Sequence, residues 1–163
     1  MPRSQKPRKR HNRTKTAAQD LSRPPHMWQV WRTFEPLYQL FDSLRDGEID
    51  AVGGVPVMPI WGRGEVMEVP PVLDGWVCCW ERIVAGEGLP IDLSPLRQMQ
   101  RYLANGVMMT SELLRRARAV TDQCYRAYAA MPRERAISYT RTEQIAIELE
   151  SLGIVPAAGR VAA

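Results

Sequence analysis

The sequence predicts a mainly α protein: a helical bundle with one long helix, a β-hairpin-like or irregular insertion, and a disordered basic N-terminal arm. Three observations predict it. Leu96, Met99, Leu103, Gly106, Thr110, Leu113, Ala117, Val120, Cys124, Ala127 and Met131 recur at alternating steps of three and four, the spacing that keeps side chains on one helical stripe. Between residues 49 and 71 that period vanishes, and short β-leaning runs rich in valine and proline replace it. The first sixteen residues carry seven positive charges and no acid, and they lack the apolar residues of a core, so they cannot offset the entropy of ordering themselves.

The 163 residues suffice for one domain with a sizeable core, taken as 26–154, between an arm and proline linker at 1–25 and a tail at 155–163. Ser94 and Pro95 read as the N-cap and first residue of the long helix, and Pro132 as its stop. Asn105-Gly106, followed by Thr110-Ser111-Glu112, is the one place where that helix would break in two. The stripe keeps its register across this point, which favours a single rod of about 54 Å at 1.5 Å per residue, covered by the rest of the chain or by a second copy.

Before it, Trp28, Trp31, Phe34, Leu37 or Tyr38, Phe41 and Leu44 form a stripe closed by Asp46-Gly47. Pro36 conflicts with it, so the helix either starts near Glu35 or is kinked there. Trp28, Trp31 and Phe34 read first as core, with a base-stacking platform beside the basic arm as the alternative. The runs 55–60 and 65–69 flank Trp61-Gly62-Arg63-Gly64 as a hairpin, and their prolines confine them to edge strands. Gly62-Arg63-Gly64 lacks the lysine and helix start of a phosphate loop. A helix over 71–85 shows Val72, Trp76, Trp80 and Ile83 or Val84 on one face, with Gly86 closing it. Thr140-Arg141-Thr142-Glu143 reads as a capping box opening a last helix over 141–152, stopped by Gly153. The residues beyond it are too few for a recognition helix.

Chemistry-bearing groups are sparse. His11 falls in the arm and His26 in the linker, so neither is a placed general base. Asp42, Asp46, Glu48 and Asp50, with Glu65 and Glu68, lack the alternation of a calcium loop, and no Cys-x-x-Cys or Cys-His grouping suits zinc. Cys78, Cys79 and Cys124 are odd in number, two are adjacent, and neighbours on a helix diverge by about 100°, so they suit a reducing compartment better than a disulfide framework. No apolar run of about 18 residues is present to span a membrane, and no apolar stretch follows the basic start to make it a secretory signal. The expectation is a non-enzymatic protein without a cofactor.

Charge points to a partner. Seven of the 22 basic residues lie in the arm, leaving 15 against 18 acidic ones, so the pI of about 9.2 describes the arm and not the body. Arg3, Lys6, Arg8, Lys9, Arg10, Arg13 and Lys15 would bind nucleic acid by releasing its condensed counterions. Arg97, Arg101, Arg115, Arg116, Arg118 and Arg126 face only Glu112 and Asp122, and read first as a solvated face. A phosphate-binding role through Arg115, Arg116 and Arg118 is the sharper alternative. Trp61 and Arg63 at the hairpin tip would contact a protein partner, and the long helix would pair in a homodimer. Every lysine lies in the arm, which with the wealth of Ala, Val, Gly and Pro points to a GC-rich bacterial or phage genome.

The basic start (Pro2-Arg3, Lys6-Pro7-Arg8-Lys9-Arg10), the Phe41-Asp42-Ser43-Leu44-Arg45-Asp46-Gly47 stretch and the helical remainder resemble, in layout, small uncharacterised accessory proteins of proteobacterial phages and mobile elements. The resemblance carries over no catalytic or binding residue. It implies an accessory protein of the bacterial host cytoplasm or the virion, one that binds nucleic acid or a nucleoprotein, or alternatively inhibits a host or defence complex or assists assembly.

Overall fold

The computed structural model describes residues 24–59 and 66–151, with side chains described as far as residue 142. These residues form five helices and a small antiparallel sheet, a mainly helical fold as the stripes require. The arm, the hairpin tip with Trp61 and Arg63, and the tail lie outside the described residues.

Helix α1, Met27–Asp46, opens where the Gln29 side chain accepts the His26 backbone amide at 3.3 Å, and ends at Gly47, whose φ of 71° is a left-handed cap. It runs unbroken through Pro36, which excludes a start at Glu35; the missing proline amide leaves the Arg32 carbonyl without its helical donor. Its buried face is Val30, Phe34, Leu37, Leu40 and Phe41. Trp28 and Trp31 are therefore not core, contrary to the expected stripe. Repeated steps of three turn the helix by about 300° each, so Trp28 sits about 120° around from Phe34, whereas steps of four and three from Val30 hold one face.

Strands β1 (Asp50–Val52), β2 (Val55–Pro59) and β3 (Val66–Glu68) follow in the order β1-β2-β3. Gly53 and Gly54 join β1 to β2 with φ of 60° and 83°, the positive pair that a two-residue hairpin turn demands. The expected β2–β3 hairpin is present, but β1 was not foreseen, and it makes proline-bearing β2 the central strand instead of an edge. The register explains how. With Val52 opposite Val55 as the hydrogen-bonded pair closing the turn, Pro56 directs its missing amide towards β3 and Pro59 towards β1. Pro56 lies beyond the paired end of β3, and Pro59 beyond that of β1. Neither proline removes a ladder bond.

Helix α2, Val69–Glu87, begins with the prolines at 70 and 71 and ends at Gly88, φ 62°, not at Gly86. Its buried face is Val69, Leu73, Val77, Trp80 and Ile83, one position around from the expected Val72 and Trp76 face. In this rotation the Asp74, Cys78 and Glu81 row meets Arg97 of α3, Ser94–Ala104. Ser94 is already helical: Asp92 accepts both its backbone amide and its hydroxyl, each at 2.9 Å.

The expected single rod is two helices, α3 and α4, Ser111–Ala130, packed against each other. Gly106 takes φ 62°, the Val107 amide reaches back to the Tyr102 carbonyl at 2.9 Å, and the Gly106 amide to that of Leu103 at 3.4 Å, the paired bonds of a glycine-terminated helix end. Thr110 then caps α4, its hydroxyl oxygen accepting from the Leu113 amide at 3.2 Å. Gly106 and Thr110 looked like members of the stripe because each half independently points its apolar face at one shared core. Met131, extended before Pro132, ends α4, and α5, Arg133–Ser151, starts at once. Thr140 is thus mid-helix and caps nothing. Its hydroxyl, like that of Thr142, donates to the carbonyl four residues back.

Helix α1 packs along α4, α2 along both α3 and α5, and the sheet rests on α2 and α3. At the centre Phe34, fully buried, meets Trp76, Trp80, Tyr125 and Tyr128 edge to face, with centroids 5.4 to 6.0 Å away. Truncating Phe34→Ala removes all four contacts and leaves a cavity; a loss of about 3–5 kcal/mol is expected in denaturant unfolding. Burial pushes the Cys124 thiol up to about 12. An unfolded thiol titrates near ~8.5, so the native state keeps a proton that the unfolded chain loses, and stability present below that pH declines as pH rises towards the folded value. The urea midpoint of the wild type should fall between about pH 8 and about pH 9.5, and the slope should flatten in Cys124→Ala.

Candidate functional site

Of the predicted phosphate-binding arginines, the structure describes Arg115, Arg116 and Arg118, all on α4. Arg115 closes on Glu112 with bonds of 2.9 and 2.7 Å, which hold that carboxyl below its usual range. Arg118 reaches across to α1, where its Nη1 lies 2.8 Å from Asp42 Oδ1. Arg116 is exposed near Asp92, whose carboxyl is lowered chiefly by the Ser94 amide and hydroxyl, with Arg116 adding to it. Two of the three charges are therefore compensated within the fold. Arg97 is spent on α2: it binds Asp74, takes both oxygens of Glu81 at 3.1 and 2.7 Å, and touches Cys78 Sγ at 3.3 Å. Arg126, exposed and one turn past Asp122, has no ion pair among the described residues.

The side of α1 that faces this row carries an aromatic column. Tyr38 donates its hydroxyl to Asp122 Oδ1 at 2.7 Å, and Arg118 lies over its ring 5.5 Å from the centroid. Burial, then the Asp122 bond, push the Tyr38 phenol well above its ordinary range, so it stays a neutral donor. Trp31 stacks on Tyr38 with centroids 5.6 Å apart and planes 11° from parallel. Trp31 is nonetheless 47% exposed, and Trp28, one turn earlier, 59%. Pairing of Asp42 with Arg118 and of Tyr38 with Asp122 makes α1 and α4 antiparallel, so the column rises towards the end of α1 that the basic arm precedes.

About 160° around α1 from this column, given 100° per residue, lies an apolar cleft of about 530 Å³. Thr33 of α1, Val72, Trp76 and Ile83 of α2, Tyr128 of α4 and Thr140 of α5 are among its lining residues. Among the described residues no charged side chain lines it. Thr33 and Thr140 turn their hydroxyls to their own backbones, at 3.0 Å each, and leave methyl groups to the cleft. A smaller hollow of about 170 Å³ shares Thr33, Val72 and Trp76 and extends under the sheet to Met58 and Met67. Helix α5 is tied beside it by Glu87, which accepts from Arg135 at 2.6 Å and from Tyr139 at 3.0 Å.

The cleft escaped the sequence reading, and the column entered it only as the lesser alternative to a core stripe. Each consists of residues flanking a buried stripe, and a stripe drawn one residue out of phase absorbs them into the core. The cue that separates them is the four-three spacing of Val30, Phe34, Leu37 and Phe41. Among the described residues no group of three or more His, Cys, Asp or Glu side chains could hold a metal ion, and no helix is long and apolar enough to cross a membrane. No protein-family model matches the chain, and no curated protein or solved structure is similar to it.

Proposed function

We propose that the chain is a non-enzymatic binding protein that holds nucleic acid or a nucleoprotein complex, of the accessory kind that its layout resembles. The observation that carries this is the pair Trp28 and Trp31: two outward-facing tryptophans in the first turns of α1, on the chain side next to an arm of seven positive charges. Aromatic faces and cations together are what nucleic acid needs, one for bases and the other for phosphates. The pairing of Arg115 with Glu112 and of Arg118 with Asp42 supports assigning the phosphate work to Arg3, Lys6, Arg8, Lys9, Arg10, Arg13 and Lys15, with Arg116 and Arg126 as auxiliaries. A second reading, a protein-partner binder, is favoured by the uncharged cleft on α2, whose size and composition fit an apolar side-chain anchor.

Seven phosphate contacts correspond to a log-log salt slope of about −5 for a single strand. Deleting residues 1–16 should weaken binding to oligonucleotides by orders of magnitude at low salt and flatten that slope, as read by fluorescence anisotropy; unchanged binding rejects the arm's role. For the second reading, Val72, at 49% exposure, tolerates a charge without unfolding. A partner that survives nuclease treatment on the wild type should be lost on Val72→Glu, and its retention there removes the cleft from consideration.

A further inference from the structure

We propose that the open face of the Trp31 ring is the stacking site for an unpaired base of a single-stranded nucleic acid. This rests on the nucleic-acid reading above and narrows its ligand class. The Trp31 ring is already ordered: Tyr38 lies parallel to it at 5.6 Å, and Tyr38 is itself held by Asp122 at 2.7 Å, by Arg118 over its ring and by Tyr125 at 6.5 Å. Tyr38 stacks offset against one face of Trp31, and Trp31 is still 47% exposed. A base that continues the column meets a platform whose rotamer is set beforehand, so little side-chain freedom is lost on binding. Trp28, one turn earlier and 59% exposed, offers a second face for the neighbouring base.

Stacking of this kind selects against a duplex. Inside a duplex both faces of each base are taken by its neighbours, whereas a single strand presents its π-faces freely and without regard to sequence. The charges beside the column are mostly engaged within the fold. Asp42 is engaged by Arg118 and Asp122 by Tyr38, while Glu35, on the same side of α1, would repel a phosphate placed there. The backbone of the strand is left to the arm, with Arg116 and Arg126 as its auxiliaries. Two separable contributions follow: a salt-dependent one from the arm, and a salt-insensitive one from the column, with Tyr38 as the positioning residue for Trp31.

The test compares a short oligothymidine strand with a duplex of equal length on the full chain, by anisotropy and by quenching of tryptophan fluorescence across a salt series. Trp31→Ala should weaken single-strand binding about tenfold, leave duplex binding and the salt slope unchanged, and abolish part of the quenching. Trp31→Phe should restore much of the affinity, and Tyr38→Leu should lower affinity with the slope preserved. Unaltered unfolding midpoints for the Trp31 variants keep the comparison clean. Single-strand binding that depends on the arm but ignores Trp31 overturns this inference and leaves the reading above standing. Failure of both nucleic acids to bind the wild type overturns both. Equal losses for strand and duplex in Trp31→Ala overturn the single-strand assignment, as does loss of a protein contact in place of the oligonucleotide.

Discussion

The arrangement of α1, α2 and α4 depends on the ring of Phe34. Its four edge-to-face neighbours, Trp76, Trp80, Tyr125 and Tyr128, come from two helices that are distant in the chain, so one side chain on α1 sets the spacing of both others. Edge-to-face geometry is directional, because the ring edge is positive and the face negative. It therefore restricts rotation about each helix axis as well as separation, which aliphatic packing alone would leave looser. With α1 held in this rotation, Trp31 and Tyr38 emerge on the α4 side, and Thr33 on the α2 side. Both surfaces exist because the aromatic centre leaves those flanks outside.

Polar pairs around this centre act as locators. Arg97 joins α3 to three successive positions along α2, Tyr38 joins α1 to α4 through Asp122, and Glu87 joins α2 to α5 through Arg135 and Tyr139. Most are half exposed, and ion pairs in such settings contribute little net stability. Their geometric content is greater than their energetic one. In the observed rotation of α2 Arg97 meets Asp74, Cys78 and Glu81, while Val72 and Trp76 line the cleft.

Local chemistry made much of this legible in the chain. The closing glycine at 47, the prolines opening α2, the break before Pro132 and the pairing of residues 55–59 with 66–68 all follow from φ preferences that operate within a few residues. What was not legible required knowing the third dimension. A glycine at 106 and a threonine at 110 serve a helix interior poorly and a turn well, yet their coincidence with the apolar stripe outweighed that preference, because the stripe records only that residues face a core. Thr140 and Glu143 satisfy the pattern of a capping box, but the helix had already begun at Arg133, where the Pro132 carbonyl accepts the amides of Arg135 and Ala136. The outward tryptophans were hardest, since bulk and hydrophobicity argue for burial and only the phase of Val30, Phe34 and Leu37 argues against it.

The two prolines of β2 have a consequence for how the sheet is assembled. Because each sits where its strand's neighbour has ended, the observed alignment is the one in which neither is missed. Shifting β2 by a single residue against β1 would turn Pro56 into a position that calls for a donor, and the same slip would turn Met58 out of the hydrophobic core onto the face that Val57 now occupies. The imino acids thus behave as an error-correcting code: they are silent in the correct alignment and penalise the misaligned alternatives, so that a three-residue strand such as β1 can find a unique partner despite having few bonds with which to recognise it.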